Sequence, residues 1–245
     1  MSRGLKFSTE TYESVITDVI GDSLHPGGLG LTARVAEVAK VSNNCKVLDL
    51  ACGKGTSVRF MAEDLECDVI GMDLSAKLIQ KVKGGIAKAP FLERTEFVMG
   101  DAELMPCINS YFDVVICESA LSLFLDKRKV LSEIHRVLKS GGRFVATNIV
   151  LKGDMPVELK TKLTFALCIA GSETLNRFYE LFEQAGFVDI HAEDHSEKLI
   201  ELGLKLLISD SLTRVSTLNT TDRLILRRLF MEDMLGYALI LANKT

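Results

Sequence analysis

Two hydrophobic rhythms alternate along this chain. From residue 46 on, short apolar runs recur, and between them apolar residues return every three or four positions. Lys46–Leu50, Asp68–Asp73, Glu96–Met99, Phe112–Cys117 and Arg143–Val150 read as strands. Thr56–Glu66, Ser75–Gly84 and Lys127–Leu138 read as helices between them. In the last of these, Val130, Leu131, Ile134, Val137 and Leu138 share one face, and Ser140-Gly141-Gly142 reads as its stop. A further helix, Leu175–Ala185, is closed by Gly186 and followed by a strand over Phe187–Ala192. The last strand is Tyr237–Ala242.

Strands alternating with helices over short connections predict a parallel sheet covered on both faces. The strands are almost continuously apolar, as burial on both faces requires. Residues 9–41 read as helical in pieces, broken at His25-Pro26-Gly27-Gly28. Between the last two strands lie helical stretches at about Glu197–Ser209 and Thr221–Asp233. The first is apolar over much of its surface, so it is expected to be buried against the sheet or in a dimer contact. The expected organisation is one domain, 1–245. A helical cap (1–44) precedes a core (45–193 and 237–245), and a helical insert (194–236) precedes the last strand.

Composition narrows the classes. Of 245 residues, 47% are hydrophobic and 25% charged, so the chain has the material for a packed core. The net charge of −4 argues against a protein built to grip nucleic-acid phosphates. No apolar run approaches the roughly 20 residues that span a bilayer, and the N-terminus lacks a signal-peptide pattern. A cytoplasmic protein with no membrane partner is expected, its six cysteines free thiols. No Cys-x-x-Cys pair suggests a metal site.

The candidate chemistry sits after the first strand, in Asp49-Leu50-Ala51-Cys52-Gly53-Lys54-Gly55-Thr56. A strand runs into Gly-x-Gly and a helix follows, so the backbone can turn sharply and approach a ligand. Asp73 stands 20 residues after Gly53, at the end of the second strand, where a carboxylate can accept both bonds of a ribose diol. A dinucleotide site usually places a third glycine where Val58 stands. Asp49 beside the loop would repel a pyrophosphate and attract an ammonium group. S-adenosylmethionine has an amino group, a ribose and no phosphate.

These segments resemble the motifs of class I S-adenosylmethionine-dependent methyltransferases, in order over roughly residues 45–150. Asp73-Leu74 resembles the ribose-binding acid and its neighbour. Gly100-Asp101-Ala102-Glu103 is similar to the segment after the third strand that holds the adenine. Tyr111–Ile116 and Leu138–Arg143 resemble the fourth strand and the turn before the fifth. Many members carry Gly where Ala51 stands. The resemblance implies a Rossmann-like α/β fold with a seven-stranded, mostly parallel sheet and an antiparallel last strand. It implies that Asp49, Ala51, Cys52, Gly53, Gly55, Thr56, Asp73, Leu74, Asp101, Ala102 and Glu118 contact S-adenosyl-L-methionine.

Methyl transfer is an in-line displacement, so the residues beyond the cofactor decide the acceptor. The Asn/Asp-Pro-Pro-Tyr/Phe pattern of nucleic-acid amino methyltransferases is absent after the fourth strand, which favours a small-molecule acceptor. Cys168-Ile169-Ala170-Gly171-Ser172 ahead of a helix, then Gln184-Ala185-Gly186-Phe187, resemble a segment of the arsenite methyltransferases and the related methyltransferase type 11 enzymes. Cys168 matches a metalloid-binding Cys of theirs, while Ser119 stands where they often carry Cys. A metalloid site needs more than one soft thiolate, and a buried small hydrophobe is the plainer role for Cys168. The general-base candidates are His25, Glu118 and His195. Their plainer roles are a solvent-facing loop histidine for His25 and a helix-start acid for Glu118. Asp194 or Ser196 is expected to cap the helix that follows. A monomer or homodimer is expected. An arsenite, metalloid or thiol methyltransferase is one alternative, and two others come from different classes. A nicotinamide oxidoreductase would need a Tyr-x-x-x-Lys pair, which is absent, and a non-catalytic cofactor-binding protein would need no base.

Overall fold

A computed structural model describes residues 25–86, 90–161, 164, 167–208 and 220–245. The sequence-predicted helical pieces before His25 lie outside them. Helix α1 (Gly28–Val38) leads into β1 (Lys46–Leu50), α2 (Thr56–Asp64), β2 (Asp68–Asp73), α3 (Ala76–Ile86), β3 (Thr95–Met99) and β4 (Phe112–Glu118). There follow α4 (Lys127–Val137), β5 (Leu138–Leu151), β6 (Glu173–Thr174), α5 (Leu175–Gln184) and β7 (Val188–Asp194). Helices α6 (Ser196–Ile208) and α7 (Thr220–Met231) precede β8 (Leu235–Asn243).

The sheet order is β3-β2-β1-β4-β5-β8-β7. Neighbours from β3 to β5 run parallel, and β8 runs antiparallel between β5 and β7. β6 adds a two-residue strand to the seven expected. It pairs with Val150 and Leu151 of β5, beyond the point where β4 stops at Glu118 opposite Thr147.

The period of two along each strand divides the interior into two layers. Val47, Val69, Val114, Ile116 and Val145 face α1, α2 and α3. Leu48, Met72, Val115, Cys117 and Phe144 face α4 and α5. Helix α4 forms because Val130, Leu131, Ile134 and Val137 make one buried stripe, worth roughly 1.5–3 kcal/mol per side chain. Its first turn is capped by the Asp126 carboxylate, which accepts the Lys129 N–H at 3.0 Å; such a cap contributes ~1 kcal/mol.

One expectation needs correction here. Ser140-Gly141-Gly142 does not separate helix from strand, because β5 begins at Leu138. The glycines stay in the sheet through bonds to the chain end, Gly141 N–H to Lys244 O (2.8 Å) and Lys244 N–H to Gly142 O (2.9 Å). Helix α6 packs on β8 and buries Leu199 in the core as expected, while Ile200 and Leu204 are exposed. Gly203 lets the ring of Phe230 in α7 approach so closely that a Cβ would meet it at 2.5 Å.

Candidate functional site

The strand order reverses between β1 and β4, and open α/β sheets bind their ligands at such a switch point, beyond the carboxyl ends of the strands. The turn after β1 lies at that end of the sheet. Ala51 (φ 61°), Gly53 (54°) and Gly55 (71°) are all left-handed. Ala51 accepts a conformation that costs a non-glycine residue roughly 1–2 kcal/mol. A side chain at Gly55 would meet Phe97 at 2.8 Å, so only Gly fits. The turn is closed by Gly55 N–H to Cys52 O (2.8 Å) and Cys52 N–H to Met72 O (3.0 Å). One Asp73 oxygen accepts the Gly53 N–H at 2.9 Å and the other the Ser75 N–H at 2.8 Å. Asp73 thus ties the glycine turn to the end of β2.

Strand alternation carries three carboxylates to one face. Asp49 follows Val47 by two positions, Asp73 follows Val69 by four, and Glu118 follows Ile116 by two, on adjacent strands β1, β2 and β4. Asp49 is 3% exposed. Burial, then the charges of Glu118 and Asp73, push its carboxyl well above the ordinary carboxylate range. Burial also raises Asp73, opposed by the N–H groups of Ser75 and Gly53. The Cys52 thiol is pushed up by burial and by Asp49 and Asp73. Three carboxyl groups brought together, two of them with their ionised forms opposed by burial, suit a ligand that donates hydrogen bonds and carries positive charge.

Glu118 is neither a helix-start acid nor beyond its strand: it ends β4. Its carboxylate accepts a very short bond from the Ser57 hydroxyl and a 3.0 Å bond from the Thr32 hydroxyl. His25 does not face solvent; it is 7% exposed. Its Nε2 lies 3.5 Å from Glu118 Oε1 and 3.2 Å from Thr32 Oγ1, and its Nδ1 lies 3.1 Å from Pro26 O. Gly27 (φ 84°) and Gly28 (φ 54°) make the bend that brings the imidazole inward ahead of α1. Two of the sequence candidates therefore meet directly, across 93 positions of chain.

The other candidates lie apart from that pair or at the rim. His195 Nε2 is 3.2 Å from Glu193 Oε2, and Arg34 of α1 donates to both Glu193 oxygens, at 3.0 and 2.6 Å. Arg34 holds the Glu193 carboxyl below its usual range. Asp194 accepts the Ser196 N–H at 2.8 Å at the start of α6, as expected of a cap. Cys168 is buried and burial pushes its thiol up to about 12, so it is protonated at neutral pH. Asp101 is exposed beyond β3 and accepts the Glu103 N–H at 2.9 Å; Ala102 beside it is buried and Leu74 half exposed. Sequence reasoning missed Thr32 and Ser57, hydroxyls on otherwise apolar helix faces, where an unexplained polar position was the available signal. It also missed the buried hydroxyls of Ser119, Thr147 and Tyr237.

Known proteins resemble this chain in sequence and in fold. A family model described as a methyltransferase domain matches residues 41–186. An arsenite methyltransferase of Halobacterium salinarum is 30% identical over 159 residues, 63% of this chain and 40% of that protein. The chain thus spans well under half the length of that relative. An O-methyltransferase of Penicillium expansum, cnsE, is 27% identical over 96% of this chain and 90% of its own. Among solved structures, the geranyl diphosphate C-methyltransferase of Streptomyces coelicolor A3(2), in complex with Mg2+, geranyl diphosphate and S-adenosyl-L-homocysteine, superposes with a TM-score of 0.77. That match covers 100% of this chain and 98% of the other at 14% identity, a likeness of fold. The chain belongs to the class I S-adenosylmethionine-dependent methyltransferase family.

Proposed function

We propose that this chain transfers the methyl group of S-adenosyl-L-methionine to a small-molecule acceptor. The observation that carries the reading is the convergence of Asp49, Asp73 and Glu118 on the glycine turn. Their donor chemistry fits the cofactor: carboxylates accept from an ammonium and from a ribose diol, and no phosphate has to be accommodated beside them. Asp49, Ala51, Cys52, Gly53, Gly55 and Thr56 line the amino-acid end, and Glu118 completes the ammonium site. Asp73 and Leu74 take the ribose, and Asp101 and Ala102 the adenine. When bound, the cofactor supplies an activated methyl group on a sulfonium.

The chain's own part is alignment. Thr32, Ser57 and His25 hold Glu118; His25 is thereby engaged in positioning, and His195 is engaged by Glu193. The protonated, buried Cys168 lends no support to a thiolate-bound metalloid, so an organic acceptor is the better reading. The single-domain organisation over 1–245 is supported by contacts of α1 with both β4 and β7. The net charge of −4 supports an acceptor other than nucleic acid. A monomer or homodimer in the cytoplasm completes the proposal. Six free thiols are consistent with a reducing compartment, and no described helix is long and apolar enough to cross a membrane.

Calorimetric titration with S-adenosylmethionine, S-adenosylhomocysteine and NADH tests the reading. Micromolar binding of the first two and none of the third is expected. Asp73→Ala should weaken the first two by about 2 kcal/mol, the loss of a pair of ribose bonds. NADH binding alone, or an unchanged affinity in Asp73→Ala, overturns it.

A further inference from the structure

We propose that Tyr237, on the strand β8 farthest along the chain, is a positioning residue for the ammonium end of the cofactor site, acting through Ser119 on Glu118. The inference rests on the assignment of Glu118 to the ammonium made above.

Tyr237 is fully buried on the same face of the sheet as Asp49 and Glu118. Its hydroxyl donates to Thr147 Oγ1 at 3.0 Å. A phenol has one proton, so the 2.5 Å contact with Ser119 is donated by the Ser119 hydroxyl. Hydroxyls of β4's end, β8 and β5 therefore form one directed chain, Ser119 to Tyr237 to Thr147. The Tyr237 backbone is itself held: its N–H donates to Ser196 Oγ (3.1 Å), and its carbonyl oxygen accepts the His195 N–H (2.8 Å).

Ser119 is the residue this chain restrains. It follows Glu118 directly and has φ 56°, left-handed and unfavourable for any residue with a Cβ. A second bond, Ser119 N–H to Thr147 O at 2.7 Å, holds its backbone. The chain leaves β4 by this turn, and the turn sets the direction from which the Glu118 side chain starts. Ser57 and Thr32 hold the carboxylate at its far end. Packing alone does not account for the hydroxyl. A phenyl ring would fill the same space, and an apolar site rewards a buried hydroxyl only when it is bonded.

The test is calorimetric, on the full chain, with two probes. S-adenosylmethionine carries the amino-acid arm, and 5′-methylthioadenosine has the same nucleoside and sulfur without it. Tyr237→Phe should weaken S-adenosylmethionine about tenfold and leave 5′-methylthioadenosine within about twofold. Ser119→Ala removes the other end of the bond and should give the same split, which covers a Tyr237→Phe protein that folds poorly. In a Ser119→Gly background the left-handed turn needs no restraint, so adding Tyr237→Phe should cost no more than about twofold. Equal weakening of both probes overturns the inference in favour of general loosening, and so does an unchanged affinity for S-adenosylmethionine. A wild-type protein that binds neither probe overturns the cofactor assignment instead.

Discussion

Replacing Asp49 by Asn should stabilise the protein and weaken its cofactor at the same time. Asp49 is 3% exposed and lies among Glu118 and Asp73, and burial is the first cause of its raised carboxyl. Asn has nearly the same shape, removes the charge and adds an N–H2 that faces acceptors. In the ligand-free protein Asn lifts the cost of a buried charge; relief of ~1 kcal/mol, the low end for an uncompensated buried polar group, raises the melting temperature of a chain of this length by about 2–4 °C. The cofactor loses an attraction of gross size ~4 kcal/mol, for unit charges about 4 Å apart at an effective dielectric of 20. Desolvation of both charges opposes that attraction, so the expected net loss is about 2 kcal/mol, some 30-fold in Kd.

The pH dependence has a definite sign. A carboxyl raised in the native state holds its proton to higher pH than the same group unfolded, whose ordinary value is 3.8. Its ionisation therefore costs stability above the native pKa, and the cost vanishes as pH falls through that value toward 3.8. The melting advantage of Asp49→Asn should be largest near pH 7 and shrink on acidification. Scanning calorimetry at pH 7 and pH 5, with titration of S-adenosylmethionine at pH 7, reads all of this. A variant that melts below the wild type at pH 7, or binds the cofactor equally well, refutes the electrostatic reasoning.

Two further outcomes are expected. A Cβ at Gly171 would lie 2.0 Å from the Ser122 carbonyl oxygen, a backbone atom with little freedom to yield. Gly171→Ala should cost about 2–3 kcal/mol and lower the melting temperature by roughly 4–9 °C; a melting point within 1 °C of wild type, at roughly the error of the scan, would show that the Ser122 turn adapts. Under native conditions iodoacetamide should modify the half-buried Cys45 and spare Cys117 and Cys168, whose thiols burial raises. Peptide mapping that finds Cys168 labelled as fast as Cys45 would restore it as a reactive thiol.

Local rules made much of this molecule legible. The glycine turn, Asp49 and Asp73 are read from consecutive residues, because strand, turn and helix onset are encoded within a few positions of one another. Phe112–Cys117 needed one more residue, and it was Glu118, since a polar residue ending an apolar run gives no local sign of whether it still pairs. The continuation of β5 through Gly141 and Gly142 was illegible for a similar reason. Glycines that normally stop a helix are held in the sheet by Lys244, about 100 positions away.

What the sequence determined by itself is therefore the layered α/β architecture, the glycine turn and the acidic character around it, since period, turn chemistry and charge are properties of neighbours. Tertiary structure alone decided who meets Glu118. His25 and Thr32 arrive from a segment 86 or more positions earlier, Ser57 from the helix after β1, and Tyr237 acts from a strand 118 positions beyond Ser119. The partner of each is set by strand order and helix packing, and no pattern of adjacent residues carries that information.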